Sequence, residues 1–370
     1  MKLLRQILLR VLTTHVAWPI LISIGLLCTV SILALELVSP ERASRQQVWL
    51  AVGGGVLLIS LLPHYQVIGR IAWALYGFTL LLLVAVFLAP EVAYTHRWFT
   101  FPGGTLFQPS ELAKISFVLV LAWYLRHRKD LHTLGGLVVP FLLALIPAAL
   151  ILQEPDLGTA LLFPLVLFAM LVAARARMKH LVTIAVVALL ALPGAYPFLR
   201  PYQQTRVLSQ IKVVTGQAEN DAAYIMGPGH QPYLSKIAIG SGGLTGHGAE
   251  GGRAITRSLP EAYTDFIYAV VGAEWGFVGC TLVLLFYLGF FAASVEIAGS
   301  TRDMFGRLLV VGLACMILAQ ATINLSMTVG LAPVVGVALP FVSYGGSSLL
   351  ASLLAAGLLL NVSVRRNSKQ

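Results

Sequence analysis

The chain has 370 residues, of which 58% are hydrophobic and only 11% charged, a balance that leaves too little polar surface to cover a soluble globule. Its net charge of +10 would suit nucleic acid, but the Lys and Arg residues fall in alternate gaps between apolar runs, which is a pattern of membrane topology and not of a nucleic-acid patch. Cys28, Cys280 and Cys315 all lie inside apolar runs and read as small core hydrophobes, with no disulfide and no metal.

Apolar runs near the ~20 residues needed to cross a hydrocarbon core predict ten spans, over 17–36, 47–64, 71–90, 110–125, 134–152, 158–175, 180–199, 266–294, 307–330 and 345–363. One set of gaps holds Lys2, Arg5 and Arg10, then Arg70, then Arg126, Arg128 and Lys129, then Arg175, Arg177 and Lys179, then Arg302 and Arg307, then Arg365, Arg366 and Lys369. The opposite short gaps carry only Arg42, Arg45 and Arg97. The positive-inside rule therefore puts both termini in the cytoplasm. The basic start also fits a secretory signal, but its apolar stretch is long for one and lacks a small-residue cleavage site, which favours an uncleaved first span.

Residues 1–370 read as a single membrane domain, all-α, with one large extracytoplasmic loop over 200–264, between the seventh and eighth spans. That loop is rich in Gly, Gln and Ser and too long for a simple connector, so it is expected to be functional. Two shorter outer segments, Tyr94 to Pro109 and Leu331 to Gly346, are crowded with Gly and Pro. Such backbone enters a membrane only where protein or a wet cavity satisfies it. No internal repeat of the transporter kind stands out.

Charged residues in or beside a span are costly and usually functional. Arg97 precedes the fourth span, Glu111 and Lys114 open it, Glu154 and Asp156 join the fifth to the sixth, and Asp265 opens the eighth, all at the outer face. Glu111 and Lys114 are three apart on a helix, so a neutralising pair and a catalytic pair are both open. Asp156 in Pro155-Asp156-Leu157-Gly158-Thr159 suits a helix cap as well as a site. Asp265 follows Leu259-Pro260-Glu261-Ala262-Tyr263-Thr264, which brings a carboxylate to the membrane surface among aromatic residues. A cap is the bland alternative for it and for Thr264. Glu274 and Glu296 are deeper or on the cytoplasmic side and read as structural. The glycine run around Ser241, Gly242 and Gly243, ending Gly246-His247-Gly248, suits either a flexible loop or backbone amides approaching a phosphate. It lacks the spacing and βαβ context of a dinucleotide fingerprint, and the scattered histidines have no zinc-ligand spacing.

Six motifs in order then resemble those of the SEDS family (shape, elongation, division, sporulation). They are Arg97-Trp98 with Phe107-Gln108-Pro109-Ser110-Glu111-Leu112-Ala113-Lys114, the Pro155 to Thr159 run, Tyr202-Gln203 with Arg206, Ala238 to Gly243, Leu259-Pro260-Glu261 with Thr264-Asp265-Phe266, and Pro333 to Ser348. Ala238 to Gly243 and Pro333 to Gly336 are closer to the elongation branch, the RodA type. Glu261-Ala262 is closer to the division branch, the FtsW type. The chain departs from the family pattern at His230, Leu234 and His247, which bears on how the loop would hold a ligand.

The resemblance implies ten helices in the bacterial cytoplasmic (inner) membrane and polymerisation of lipid II into glycan strands during cell-wall elongation. An acceptor sugar hydroxyl attacks the donor's anomeric carbon with inversion, and undecaprenyl pyrophosphate leaves. A sugar hydroxyl needs a base or a metal at neutral pH, and the resemblance gives the base role to Asp265, with an optional divalent cation, Mg or Mn, held there. Arg97, Lys114, Arg206 and Lys236 are candidates to meet the pyrophosphate charge, and Glu111, Asp156, Ser241, Gly242, Gly243, His247 and Ser343 to support the site. The implied partners are a class B penicillin-binding transpeptidase and the membrane proteins of an elongation complex. The competing readings are a lipid II flippase and a non-enzymatic scaffold of a cell-wall complex.

Overall fold

The computed structural model describes residues 11, 14–91, 95–101, 105–198, 204–205, 208–209, 211, 221–227, 229–256 and 259–366. Each predicted apolar run overlaps a helix: α1 Ala17–Val38, α2 Pro40–Ser60, the short α3 Tyr65–Arg70 with α4 Ala72–Ala85, α5 Pro109–Leu125, α6 Leu134–Gln153, α7 Leu157–Ala173 and α8 Met178–Ala195. After the large loop come α12 Ile267–Ser300, α13 Met304–Thr328 and α14 Gly346–Arg365. Five of these, α1, α6, α12, α13 and α14, are long and apolar enough to cross a membrane, and α4, α7 and α8 are shorter apolar helices. Charge separates α2 and α5 from the rest. Glu41, Arg42 and Arg45 sit in the first turns of α2, and Glu111 and Lys114 in those of α5.

Large apolar side chains face outward all around the bundle, among them Ile22, Leu58, Phe78, Leu145, Leu190 and Leu285, as lipid in place of water permits. Pro140 and Pro147 in α6 and Pro164 in α7 are accommodated within helices, as neighbouring helices allow in a bilayer. Helix α14 packs on α2, α1 on α12, and α13 on α5, α7 and α12. At the far end from Asp265, Asn361 and Arg365 donate to the carbonyls of Ser60, Leu61, Leu62 and Pro63 and so satisfy the turn after α2.

One feature differs from the all-α expectation, and a second gives the large loop a structure of its own. Phe99–Phe101 (β1) and Thr105–Phe107 (β2) form an antiparallel hairpin with Phe99 opposite Phe107. Alternating aromatic and β-branched residues favour the pleat, and Ser347 of α14 pins the hairpin by donating to the Leu106 carbonyl at 2.9 Å and accepting from the Gln108 amide. The second half of the large loop is helical: α9 Ala222–Met226, α10 His230–Ser241 and α11 Gly248–Thr256. Both α10 and α11 lie along α12.

That docking has a backbone cause. Helix α12 is kinked at Gly276, whose φ of 59° and ψ of −151° suit glycine alone. The kink frees polar groups that must find other partners. The amides of Phe277 and Val278 donate to the carbonyls of Gly243 and Leu244, and the carbonyl of Ala273 accepts from the His247 amide. The glycine run is therefore the splint of the kink. A Cβ on Gly242 would stand 2.0 Å from the Gly272 carbonyl oxygen, and one on Gly246 1.9 Å from that of Glu274, so no side chain fits at either position.

Candidate functional site

Asp265 lies in the turn that leads into α12, one residue before the Phe266 cap position. It is half-buried. The irregular strap over 331–345, between α13 and α14, folds back against this turn and is fixed to it from both sides. From α13, the Asn324 amide donates to the carbonyl of Asp265 at 2.8 Å and to that of Val337 at 2.6 Å. Within the strap, Ser343 donates its hydroxyl to the Thr264 carbonyl and accepts from the Leu339 amide. The Tyr344 amide then donates to the Tyr263 carbonyl at 2.9 Å. Gly336, at φ +69°, passes so close that an added Cβ would be 3.4 Å from Asp265 Oδ2. The strap and Asn324 thus hold the backbone of the turn at three consecutive residues, 263, 264 and 265.

Lys114 and Glu111 are buried together, with Nζ 3.0 Å from Oε1. Lys114 also donates to Gln320 Oε1 at 2.9 Å, and Gln320 donates onward to the Ala338 carbonyl of the strap. Pairing and hydrogen bonding together make a buried ion pair tolerable. The pair is thereby one end of a polar chain that runs through α13 to the strap opposite Asp265. Gln320 and Asn324, four apart on one face of α13, were missed from sequence. Their signal was present, since two amides in a long apolar run call for partners in lipid.

Other candidates stand in different places. Arg97 donates to the carbonyls of Glu154 and Pro155, where it closes the C-terminal end of α6. Asp156 caps α7: its Oδ1 accepts from the Thr159 amide at 3.0 Å and its Oδ2 from the Thr159 hydroxyl and Gln108. The capping reading of Asp156 is the one its geometry fits. Glu154 is fully buried with neither carboxylate oxygen hydrogen-bonded. Burial, with Asp156 adding to it and Arg97 opposing, pushes its carboxyl up to about 9.

Lys236 on α10 packs its side chain against Gly330, just past the C-terminal end of α13, where the helix dipole favours a cation. Ser235 beside it donates to the Thr328 carbonyl. Ser241 bonds back to the Ala238 carbonyl, and Gly242 and Gly243 belong to the splint of the kink. His247 joins that splint through its backbone while its side chain is exposed. Arg206, with Tyr202 and Gln203, lies outside the described residues. A cation absent from the list of candidates stands near the turn: the Arg42 guanidinium lies 3.3 Å over the Tyr263 ring.

Among the described residues no group of three or more His, Cys, Asp or Glu side chains is arranged to hold a metal. An ion of the Mg type needs no such cage, because it is commonly bound through one or two carboxylates, phosphate oxygens and water. Asp265 fits that donor set.

The Asp265 turn, nearly all of the strap over 331–345 and the buried Glu111–Lys114 pair each fall within one of the six motifs. The family model of the FtsW, RodA and SpoVE cell cycle proteins matches residues 7–368. The chain belongs to that family. It is 35% identical over 329 residues to the probable peptidoglycan glycosyltransferase FtsW of Geobacter sp. (strain M18), covering 87% of this chain and 86% of that one. To the peptidoglycan glycosyltransferase MrdB of Escherichia coli (strain K12) it is 35% identical over 301 residues, 80% of this chain and 78% of the other. Its fold is similar to a chain from a structure on the coordination of polymerisation and crosslinking by a peptidoglycan synthase complex. There the TM-score is 0.82 at 30% identity, over 95% of this chain and 98% of that one. Against the rod shape determining protein RodA of Thermus thermophilus the TM-score is 0.71 at 28% identity, over the same shares. At the same 35% identity the match to FtsW runs over more of the chain than the match to MrdB, 329 residues against 301.

Proposed function

We propose that this peptidoglycan glycosyltransferase polymerises lipid II, with Asp265 as the base. The observation that carries the reading is the Asp265 turn itself, pinned by Asn324, Ser343 and the Tyr344 amide, with Gly336 of the strap close beside the half-buried carboxylate. An oxygen base fixed through its backbone keeps its position while the substrate changes, which is what proton transfer at hydrogen-bond reach requires.

The acceptor hydroxyl gives its proton to the Asp265 carboxylate as its oxygen bonds to the donor's anomeric carbon. The bond from that carbon to the pyrophosphate oxygen breaks, and its electron pair leaves with undecaprenyl pyrophosphate. One displacement with no covalent intermediate gives inversion, and the leaving group needs no general acid of the glycosidase kind. Lys236 and Arg42 are the described cations suited to the pyrophosphate, with Arg206 as a further candidate. A divalent cation, Mg or Mn, would take Asp265 as its protein ligand and supply charge neutralisation at the phosphates. Lys114 acts on the site indirectly, through Gln320 and the strap. The prenyl chains lie between helices that already face lipid.

Ten spans with both termini in the cytoplasm put the Asp265 end of the bundle outside, where glycan strands are needed. The likeness to a chain of a synthase complex that also crosslinks supports a class B penicillin-binding transpeptidase as partner. The elongation role rests on the Ala238 to Gly243 and Pro333 to Gly336 runs and the likeness to RodA. Division is the second reading, favoured by Glu261-Ala262 and the 35% identity to FtsW over 329 residues. Depletion in cells separates them, because loss of an elongation enzyme rounds the cells and loss of a division enzyme leaves filaments. The activity itself is tested by incubating purified protein with labelled lipid II. Glycan strands are expected; movement of lipid II across the bilayer without polymer would favour a flippase.

A further inference from the structure

A cavity of about 580 Å³ opens between the C-terminal end of α1, the first turns of α2 and the kinked stretch of α12. It is separate from the Asp265 strap but shares a helix with it. Arg42 and Gln46 face the turn and strap, Gln46 donating to the Ser343 carbonyl, while Ser44 and Gln47 line the cavity. Two carboxylates line it as well, Glu36 at the end of α1 and Glu274 two residues before the kink. Glu274 is only 6% exposed, and its Oε2 is enclosed without a hydrogen-bond partner. Neither Glu36 nor Glu274 is in an ion pair among the described residues.

A buried carboxylate oxygen without a donor is expensive, and the cost falls when a ligand brings one. The remaining lining says which ligand. Ser44 donates to the Pro40 carbonyl, so its oxygen is left to accept. The Gln47 side-chain carbonyl is an acceptor, and half-buried Trp275 offers an aromatic face. Acceptors on several sides, net negative charge and an indole are the recognition set of an organic ammonium group. Leu33 lines the cavity and is 46% exposed on the lipid-facing side of α1, so an amphiphile can keep its chains in the bilayer while its head enters.

We propose that this cavity binds a primary ammonium group, carried by the headgroup of an aminophospholipid such as phosphatidylethanolamine. The N–H groups pair with the Glu274 and Glu36 carboxylates and the Ser44 and Gln47 acceptors, and the carbon next to nitrogen lies on Trp275. Because the cavity abuts the kink that the glycine run splints, occupancy stiffens the docking of α10 and α11 on α12. The site stands whether or not the chain polymerises lipid II.

The test is native mass spectrometry of the purified full chain, titrated with phosphatidylethanolamine and with phosphatidylcholine of the same acyl chains, beside thermal unfolding with free ethanolamine. Phosphatidylcholine carries a cation but no N–H donor. Phosphatidylethanolamine should bind about tenfold tighter, since one charge-assisted hydrogen bond is worth roughly that factor. Glu274→Gln and Glu36→Gln should each weaken phosphatidylethanolamine more than phosphatidylcholine and so remove most of that preference. Glu36 is exposed, so its variant folds even if Glu274→Gln does not. Raised thermal stability with free ethanolamine, lost in Glu36→Gln, would uphold the ammonium site with a soluble amine as its source. Equal binding of the two lipids together with no effect of ethanolamine would overturn the proposal, as would a preference untouched by Glu36→Gln.

Discussion

The side-chain amide of Asn324 bonds two carbonyls at once, that of Asp265 at 2.8 Å and that of Val337 at 2.6 Å. One side chain in the middle of an apolar helix thus sets the spacing between the candidate base and the strap that faces it. Asn324→Asp keeps the volume and removes the donor, leaving two buried carbonyls opposite a carboxylate. Each lost buried hydrogen bond costs about 1–3 kcal/mol. We expect polymerisation of lipid II to fall by at least about 100-fold while the protein still reaches the membrane. Asn324→Gln, which retains the donor one methylene further out, should recover part of the rate. Full activity in Asn324→Asp would show that this spacing is irrelevant to catalysis.

The chain from Glu111 through Lys114 and Gln320 to the Ala338 carbonyl makes a second prediction. Lys114→Ala leaves Glu111 buried without its partner, a loss typically of about 3–5 kcal/mol, and should lower the thermal midpoint sharply. The charge-swapped pair, Glu111→Lys with Lys114→Glu, restores neutrality. It would draw the Gln320 amide toward the new carboxylate and away from Ala338. Folding should therefore recover further than activity, read as thermal midpoint against glycan yield. Equal recovery of both would make the pair purely structural.

Much of this was legible in sequence for a physical reason. Apolar length marks helices in lipid directly, so the run of spans could be read, and a carboxylate beside a large polar loop drew attention to Asp265. The Gly-rich run was readable only as a phosphate cradle or a flexible loop, because its partner is the backbone of α12 at Gly276. Nothing in the surrounding Trp275-Gly276-Phe277 announces a kink. Gln320 and Asn324 were passed over because amides carry no formal charge, although their four-residue spacing put them on one face. The 99–107 hairpin was obscured by its shortness, since three residues per strand give too little alternation to register.

The splint at the kink predicts a position-specific intolerance. At Gly246 a methyl group would meet the Glu274 carbonyl oxygen at 1.9 Å, and φ there is +80°. Gly246→Ala should therefore unseat α10 and α11 from α12, costing more than the ~1 kcal/mol of an ordinary left-handed glycine. Gly240, which meets nothing within 4 Å, is the control, and Gly240→Ala should be nearly silent. Protease sensitivity of the large loop and the thermal midpoint report the difference. Similar behaviour of the two variants would remove the splint.

Glu154 gives a pH prediction. Burial raises its carboxyl to about 9, above the ordinary value it has in an unfolded chain, so the folded state binds its proton more tightly. The stability it contributes is therefore fully present below about pH 4.5 and declines as pH rises toward about 9, by up to roughly 1.4 kcal/mol per pH unit. Glu154→Gln, neutral throughout, should raise the thermal midpoint at pH 8 and flatten its slope between those limits. A midpoint that falls on substitution at pH 8 would mean that the charged form is the one stabilised.

Asp265→Asn separates chemistry from packing most cleanly. The hydrogen bonds to its own backbone carbonyl and to those of Tyr263 and Thr264 do not involve its side chain, so the substitution leaves these three in place. Asn has nearly the same shape, but it accepts no proton and binds a cation poorly. General-base catalysis is worth about 10²–10⁴-fold, and loss of a cation ligand would add to that. The variant should fold, insert and retain its transpeptidase partner while making little or no glycan. Asp265→Glu should be nearly as poor, because Gly336 backs the carboxylate closely and an added methylene has to move it. A capping role predicts the reverse, since Asn caps a helix as well as Asp and the substitution would then be almost silent. Polymerisation of labelled lipid II by purified Asp265→Asn protein at close to the parent rate would refute the catalytic assignment and return the flippase and scaffold readings to the front.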